Sequence, residues 1–310
     1  MPGKAIYFDT FMRTACKGCQ VACKTWNSLP SYIGLNENKF SGSYQNPMDL
    51  RGDVRLLMSF NELEGGPKGV KWAFGRRSCQ HCTDAGCVTM CPSGALYYDG
   101  SGMVTYNSEV CIGCQECSIG CPYNVPRYDN LTGKINKCTG CVDRINHNMP
   151  PACVSECQSG ALQFGDRDDM IELANKRVKD LKERGYEDAC VYGVDQMDGL
   201  HVIQVLKYGV EAHQQVKNPA IPAMVTATRI MKPVTGVVAA LTGVGLITMF
   251  GMAVGYNRDE RVYNEETGDT INVETGEVIK KGNGQDEESV KDHIVKHVPI
   301  FSKKEKGGQK

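Results

Sequence analysis

Fifteen of the sixteen cysteines fall in four tight groups: Cys16, Cys19, Cys23; Cys79, Cys82, Cys87, Cys91; Cys111, Cys114, Cys117, Cys121; and Cys138, Cys141, Cys153, Cys157. Only Cys190 stands alone. Thiols separated by two residues favour convergence on one metal centre over cross-linking of distant elements, so a disulfide framework is the weaker reading. The opening Met1-Pro-Gly-Lys-Ala-Ile also lacks the apolar core of a secretory signal. The third group reads C-x2-C-x2-C-x3-C-P and ends at Pro122. That run places three thiolates on one [4Fe-4S] cube and sends the fourth, turned away by the proline, to a second cube. Cys79 to Cys91, followed by Pro92, is a variant with two more residues in its middle gap, and it supplies the reciprocal thiolate. A zinc ribbon pairs two C-x2-C units and has no use for such a crossing cysteine.

An internal repeat ties the other two groups to this pair. Each group ends in C-x3-C, and sliding the chain by 98 residues lays Cys16, Cys19 and Cys23 on Cys114, Cys117 and Cys121. Sliding by 66 lays Cys91-Pro-Ser-Gly-Ala-Leu on Cys157-Gln-Ser-Gly-Ala-Leu. The pattern is that of a double ferredoxin, an α+β chain of tandem 2x[4Fe-4S] modules, rich in loops. Crossed ligation then predicts one cluster on Cys79, Cys82, Cys87 and Cys121, a second on Cys111, Cys114, Cys117 and Cys91, and a third on Cys138, Cys141, Cys153 and Cys23. The fourth set holds only Cys16, Cys19 and Cys157, because Arg13 stands where the repeat has Cys111. A guanidinium stays protonated and offers no lone pair. This site is therefore expected to carry a [3Fe-4S] cluster, a [4Fe-4S] cluster with a non-cysteine ligand, or none. Cys190 reads as a small buried hydrophobe.

The elements that must position these loops are slight. Ala95-Leu-Tyr-Tyr and Met103-Val-Thr-Tyr flank Asp99-Gly100-Ser101-Gly102 and predict a hairpin, with Ala5-Ile-Tyr-Phe and Ala161-Leu-Gln-Phe as its counterparts. Asp168 to Glu183 predicts an amphipathic helix opened by Asp168 or Asp169, apolar at Met170, Ile171, Ala174, Val178 and Leu181, and closed by Gly185. Domain boundaries follow. Residues 1–28 and 129–210 form an outer two-cluster module with its helix, and 79–128 form the inner module. Residues 29–78 carry no metal pattern and read as an insertion that covers the clusters or meets a partner. Residues 211–233 read as a linker, 234–256 as a membrane span and 257–310 as a charged tail.

Val234 to Tyr256 holds 23 residues without a charge, about 34 Å of helix against a hydrocarbon core of about 30 Å. A buried soluble helix seldom stays uncharged for so long. Pro233 marks its start and Arg258-Asp-Glu-Arg its end, while Gly236 with Ala240, Ala239 with Gly243 and Gly251 with Gly255 suit close packing on another subunit's helices. None of the six histidines lies in the span, so a membrane haem must find its imidazoles elsewhere. Flanking charge does not orient the helix: Lys217, Arg229 and Lys232 precede it, Arg258 and Arg261 follow. The tail carries ten Lys/Arg against twelve Asp/Glu and is assigned no chemistry.

The chain has 310 residues, 41% of them hydrophobic, and a net charge of -1. This composition excludes disorder throughout and argues against a general nucleic-acid binder. With no Gly-rich nucleotide loop and no nucleophile with a base, a row of clusters points to one-electron transfer without a catalytic site.

Cys-Gln-His-Cys at Cys79, Cys-Ile-Gly-Cys at Cys111, Cys-Pro-Tyr-Asn-Val-Pro-Arg from Cys121, Lys-Cys-Thr-Gly-Cys-Val-Asp-Arg from Lys137 and Pro-Ala-Cys from Pro151 resemble the four-cluster subunits of molybdenum/tungsten bis-pterin oxidoreductases. Gln20-Val-Ala-Cys-Lys-Thr-Trp-Asn, Tyr44-Gln-Asn-Pro-Met-Asp-Leu, Arg177-Val-Lys-Asp-Leu-Lys-Glu-Arg-Gly-Tyr and the C-terminal apolar helix narrow the resemblance, over residues 4 to 258, to the iron-sulfur β subunit of membrane-bound formate dehydrogenase. The resemblance implies electrons passing from a formate-oxidising catalytic subunit to a membrane cytochrome b and quinone. It places the Cys16–Cys19–Cys157 site nearest the catalytic subunit and the Cys111 cluster nearest the membrane. It also implies a single pass through the inner membrane, with the cluster domain on the periplasmic face. Arg13 and Gln158, where the family has Cys and Pro, both depart from the pattern beside one site. The same wire serving a hydrogenase or a sulfur-compound or nitrate reductase is the near alternative, and a membrane-tethered zinc-ribbon scaffold the distant one.

Overall fold

The computed structural model describes residues 3–30, 44–65, 69–254, 261–264, 268–273 and 275–280. It divides into two compact units, Met1–Met231 and Lys232–Lys310. In the first unit the order is β1 (Lys4–Asp9), α1 (Gly18–Trp26), β2 (Leu56–Glu64), β3 (Val70–Ser78), α2 (Gly86–Met90), β4 (Leu96–Tyr98), β5 (Val104–Tyr106), α3 (Glu116–Ile119), β6 (Arg127–Asp129), β7 (Lys134–Asn136), α4 (Val142–Ile145), α5 (Ala152–Ser155), β8 (Leu162–Asp166), α6 (Arg167–Glu183), β9 (Cys190–Tyr192), β10 (Val202–Leu206) and α7 (Gly209–Ala212). Four of these helices, α2 to α5, are single turns that follow or hold cysteines, and the β4–β5 and β6–β7 hairpins lie between them.

The expected hairpin forms: Leu96 faces Tyr106 and Tyr98 faces Val104, with the Asp99 N–H donating to the Met103 carbonyl. The expected counterparts pair as well, Ala5 opposite Gly165 and Phe8 opposite Leu162. They belong, however, to a larger sheet ordered β8-β1-β10-β9, in which β10 lies parallel to β1 and antiparallel to β9. Val202-Ile-Gln-Val-Leu is buried at every position, which is why its apolar run shows no alternation of faces.

Helix α6 covers one face of this sheet through Ala174 and Leu181, which pack with Ala5, Tyr7, Ile203 and Val205. The helix opens one residue earlier than expected: Arg167 is its first residue, Asp166 holds the cap position without a side-chain cap, and Asp168 and Asp169 lie in the first turn. There their charge complements the helix N-terminus. Gly185 follows in the left-handed region at φ 88° and ends the helix.

Within the stretch read as an insertion, residues 31–43 and 66–68 lie outside the described residues. The rest supplies the long β2–β3 hairpin, whose Leu56 and Met58 pack with Ile6, Phe8, Cys19, Cys23 and Cys153. Helix α8 (Ala223–Val254) starts in the first unit. It begins within the expected linker, and Pro233 lies inside it and not at its start. Val225 is fully buried, and Arg229 pairs with Asp84. These anchors hold the turns before the proline helical, although the ring removes one backbone donor.

The second unit contains the rest of that helix. Ala223–Ala253 is long and apolar enough to cross a membrane, with a mean hydropathy of 1.9 and none of its apolar window buried. Gly255 and Tyr256, at the end of the expected span, lie outside the described residues. The charged tail forms, among the described residues, a small antiparallel sheet of β11 (Arg261–Tyr263), β12 (Thr270–Asn272) and β13 (Val278–Lys280). Residues 281–310 lie outside the described residues.

Candidate metal centres

Each ligand loop begins from an anchored strand or turn. At the end of β1 the fully buried Asp9 accepts the Phe11 N–H at 2.8 Å and takes the Arg177 guanidinium at 2.7 Å. This locks the chain entering residues 13–23. Lys17, Gln115 and Cys141 are then left-handed, at φ 62°, 63° and 54°, and each precedes a short helix. The bend turns successive thiols inward over very few residues. A proline opens the fourth loop: Pro151 is extended, at ψ 145°, and its missing N–H costs nothing at a helix start.

Thiols of different sequence groups neighbour one another. The Cys23 thiol is surrounded by Cys138, Cys153 and Cys141, and Cys82 by Cys79, Cys121 and Cys87. Cys117 has Cys91, Cys114 and Cys111 beside it. Cys16, Cys19 and Cys157 line one cavity of about 10 Å³ together with Arg13, Thr14, Glu156 and Ser159. Each of the two C-x3-C crossings into the buried sets, at Cys23 and Cys121, therefore joins thiols from another group. Cys190 joins none of them; its charged neighbours are Lys182 and Asp188. All sixteen thiols are unpaired. Among the described residues no three His, Cys, Asp or Glu side chains converge closely enough to hold a single metal ion, so the thiols stand as spread sets.

Burial dominates their chemistry. It pushes Cys153 up to about 11 and Cys117 and Cys141 up to about 12, with neighbouring thiols adding to it. Cys23 and Cys82 are driven well above the ordinary thiol range for the same reasons. Several sulfurs already accept backbone N–H groups: Cys79 from His81 at 3.4 Å, Cys138 from Gly140 at 3.4 Å and Cys157 from Leu162 at 3.3 Å. Cys16, near the surface, is pulled down by the Gly18 N–H.

Two buried cations lie among these sulfurs. Lys137, 2% exposed, donates to the Val104 and Cys138 carbonyls at 2.6 and 2.9 Å, and its charge acts on Cys79, Cys87 and Cys121. Arg76 on β3 is 1% exposed, and its three guanidinium nitrogens have no oxygen or nitrogen acceptor; the Cys153 thiol is the group within their reach. Burial disfavours its charge, but Cys153, Cys138, Cys19 and Cys23 outweigh this and raise its pKa. Neutral thiols would leave that buried cation uncompensated, at a cost of several kcal/mol. Iron-bound thiolates compensate it, and coordination removes the proton that burial otherwise retains. The residues present thus fit iron-sulfur clusters.

The fourth set differs. Arg13 Nη2 donates to Cys19 Sγ at 3.1 Å and touches Met58 Sδ, and the guanidinium lies 4.7 Å from the centre of the Phe8 ring. Its Nε is buried without a partner. The sequence assigns neither Arg76 nor Lys137 a role at the sites, Lys137 entering only as the first residue of a motif that carries the resemblance. The available signal is position: each lies within three residues before a C-x2-C unit.

Residues 70–167 match the 4Fe-4S dicluster domain family. Over 249 residues the chain is 39% identical to the iron-sulfur subunit of nitrate-inducible formate dehydrogenase from Escherichia coli (strain K12), covering 79% of this chain and 83% of that one. It is 39% identical over 253 residues to the formate dehydrogenase iron-sulfur subunit of Haemophilus influenzae, covering 80% and 79%. Over 166 residues it is 31% identical to the B subunit of the anaerobic dimethyl sulfoxide reductase of Haemophilus influenzae, covering 53% and 74%.

Proposed function

The chain belongs to the formate dehydrogenase iron-sulfur subunits, and we propose that it links a formate-oxidising molybdenum/tungsten bis-pterin subunit to a cytochrome b-type subunit and quinone in the inner membrane. When bound, the clusters supply one-electron carriers. The chain's own residues hold them, keep water away and balance their charge; none of them forms a catalytic site. The observation that carries this reading is the crossing of thiols between groups, Cys23 among Cys138, Cys141 and Cys153, and Cys121 among Cys79, Cys82 and Cys87.

Three [4Fe-4S] clusters are assigned to Cys79, Cys82, Cys87, Cys121; Cys111, Cys114, Cys117, Cys91; and Cys138, Cys141, Cys153, Cys23. The domain division is proposed as an outer module of 1–28 and 129–210 enclosing an inner module of 79–128. Cys16, Cys19 and Cys157 are read as a three-iron, [3Fe-4S] site, because a guanidinium bonded to Cys19 occupies the corner that a fourth ligand would need. Glu156, lining the same cavity, is the alternative ligand for a fourth iron. The single membrane pass rests on Ala223–Ala253, and the periplasmic side on the family resemblance.

Copurification of the membrane complex tests the partnership: a formate-oxidising subunit supports it. The likeness to a dimethyl sulfoxide reductase subunit favours a second reading, in which the same wire serves a sulfur-compound reductase, and recovery of such a catalytic subunit alone would establish that one. Iron with acid-labile sulfide is the expected metal content, and stoichiometric zinc would refute both.

A further inference from the structure

Arg76 is a cation with nowhere to go. It stands on β3 opposite Met58, is 1% exposed, and directs three nitrogens at no oxygen or nitrogen acceptor. Arg76 also lines a cavity of about 40 Å³ with Ser59, Gln80, Tyr123, His213 and Gln215 among others, and no carboxylate is among the lining residues. Its cross-strand partner Met58 packs in one cluster with Cys23 and Cys153 of one set and Cys19 of the other, and these thiols, with Cys138, are the ones that act on the guanidinium.

We propose that Arg76 is the shared counter-cation of two clusters, one on Cys138, Cys141, Cys153 and Cys23 and the other on Cys16, Cys19 and Cys157, and that it raises both reduction potentials together. The proposal rests on the ligand sets assigned above. Reduction adds one negative charge at each set, and a fixed cation buried from bulk solvent stabilises the more negative state. Arg76 stays protonated throughout, so no proton is taken up there. A lysine ammonium is more strongly hydrated and loses its proton more readily on burial; the delocalised guanidinium tolerates the same site without a partner oxygen. Burial also removes the cation from salt screening. One residue therefore couples two carriers: neither potential can be lowered through Arg76 without lowering the other.

The set of Cys111, Cys114, Cys117 and Cys91 is the internal control, since Cys117 responds to burial, its fellow thiols and its own backbone. The test uses the full chain in detergent, reconstituted with iron and sulfide and titrated with dithionite while cluster signals are followed by electron paramagnetic resonance. In Arg76→Gln both outer potentials are expected to fall. At a fixed poise, the ratio of reduced to oxidised cluster drops about tenfold, unchanged by added salt, while the control cluster stays in place. In Arg76→Lys both outer potentials are expected to fall by less than in Arg76→Gln, since the buried ammonium keeps only part of the charge. Parent potentials in a fully loaded Arg76→Gln, a shift at one outer cluster alone, or a shift that salt abolishes would overturn the proposal. If Arg76→Gln fails to load, loading of Arg76→Lys supports the counter-charge, and failure of both overturns it. Iron and sulfide analysis of the parent separately tests the ligand sets, so the two failures are distinguishable.

Discussion

Residues 13–23 and 111–121 are two copies of one loop with different first residues. Lys17 and Gln115 match at φ 62°, ψ 5° and φ 63°, ψ 4°. Ala15 and Gly113 are both left-handed, at φ 53° and 71°, and Cys16 and Cys114 are both exposed. Yet Arg13 stands where the other loop has Cys111. The backbone of the loop is thus the same with Arg13 or Cys111 in first place, because the turn is set by its own left-handed residues. What changes is the corner. In one loop it offers a thiol; in the other it holds a cation tied to Cys19 and Phe8.

The largest effect is expected from making the second loop resemble the first. Cys111→Arg should cost its site an iron and leave a three-thiolate set at Cys114, Cys117 and Cys91, seen as a second signal from an oxidised three-iron cluster. Full iron retention at that site would break the comparison. Next comes the backbone. A Cβ at Gly113 would collide with the Gly133 carbonyl oxygen, so Gly113→Ala is expected to destabilise by about 2 kcal/mol. Cluster absorbance should then be lost roughly 5 °C earlier on heating. The smallest effect is the reverse change. Ala15→Gly relieves a left-handed alanine and should stabilise its loop by at most about 1 kcal/mol, read as a small rise in the same midpoint. A fall there would show that Ala15 makes contacts outweighing its strain.

Much of the site could be read before the fold was known. Cysteine spacing and the two internal slides placed all four thiol groups, because ligand chemistry constrains sequence locally and a repeat exposes an exchange such as Arg13 for Cys. The hairpin around Asp99 was legible for a similar reason: its turn and both strands are contiguous. The second partner of β1 was not. Val202–Leu206 reaches β1 from nearly the other end of the first unit, and its fully buried run carries no alternation. Arg76 and Lys137 were missed because a basic residue in a polar stretch reads as solvated. Only the packing of four distant loops takes them out of water. Pro233 read as a helix start because the uncharged run begins after it, whereas Val225 and Arg229 extend the helix backwards.

In the proposed reading Arg13 takes the place of one iron ligand in an otherwise repeated set. The most direct measurement is the electron paramagnetic resonance spectrum of the anaerobically purified chain after mild oxidation, because an oxidised three-iron cluster is paramagnetic and an oxidised cubane of this kind is not. The parent should show one three-iron signal per chain, and Arg13→Cys should abolish it while gaining iron. A parent without that signal, or an Arg13→Cys variant that keeps it, would contradict the account.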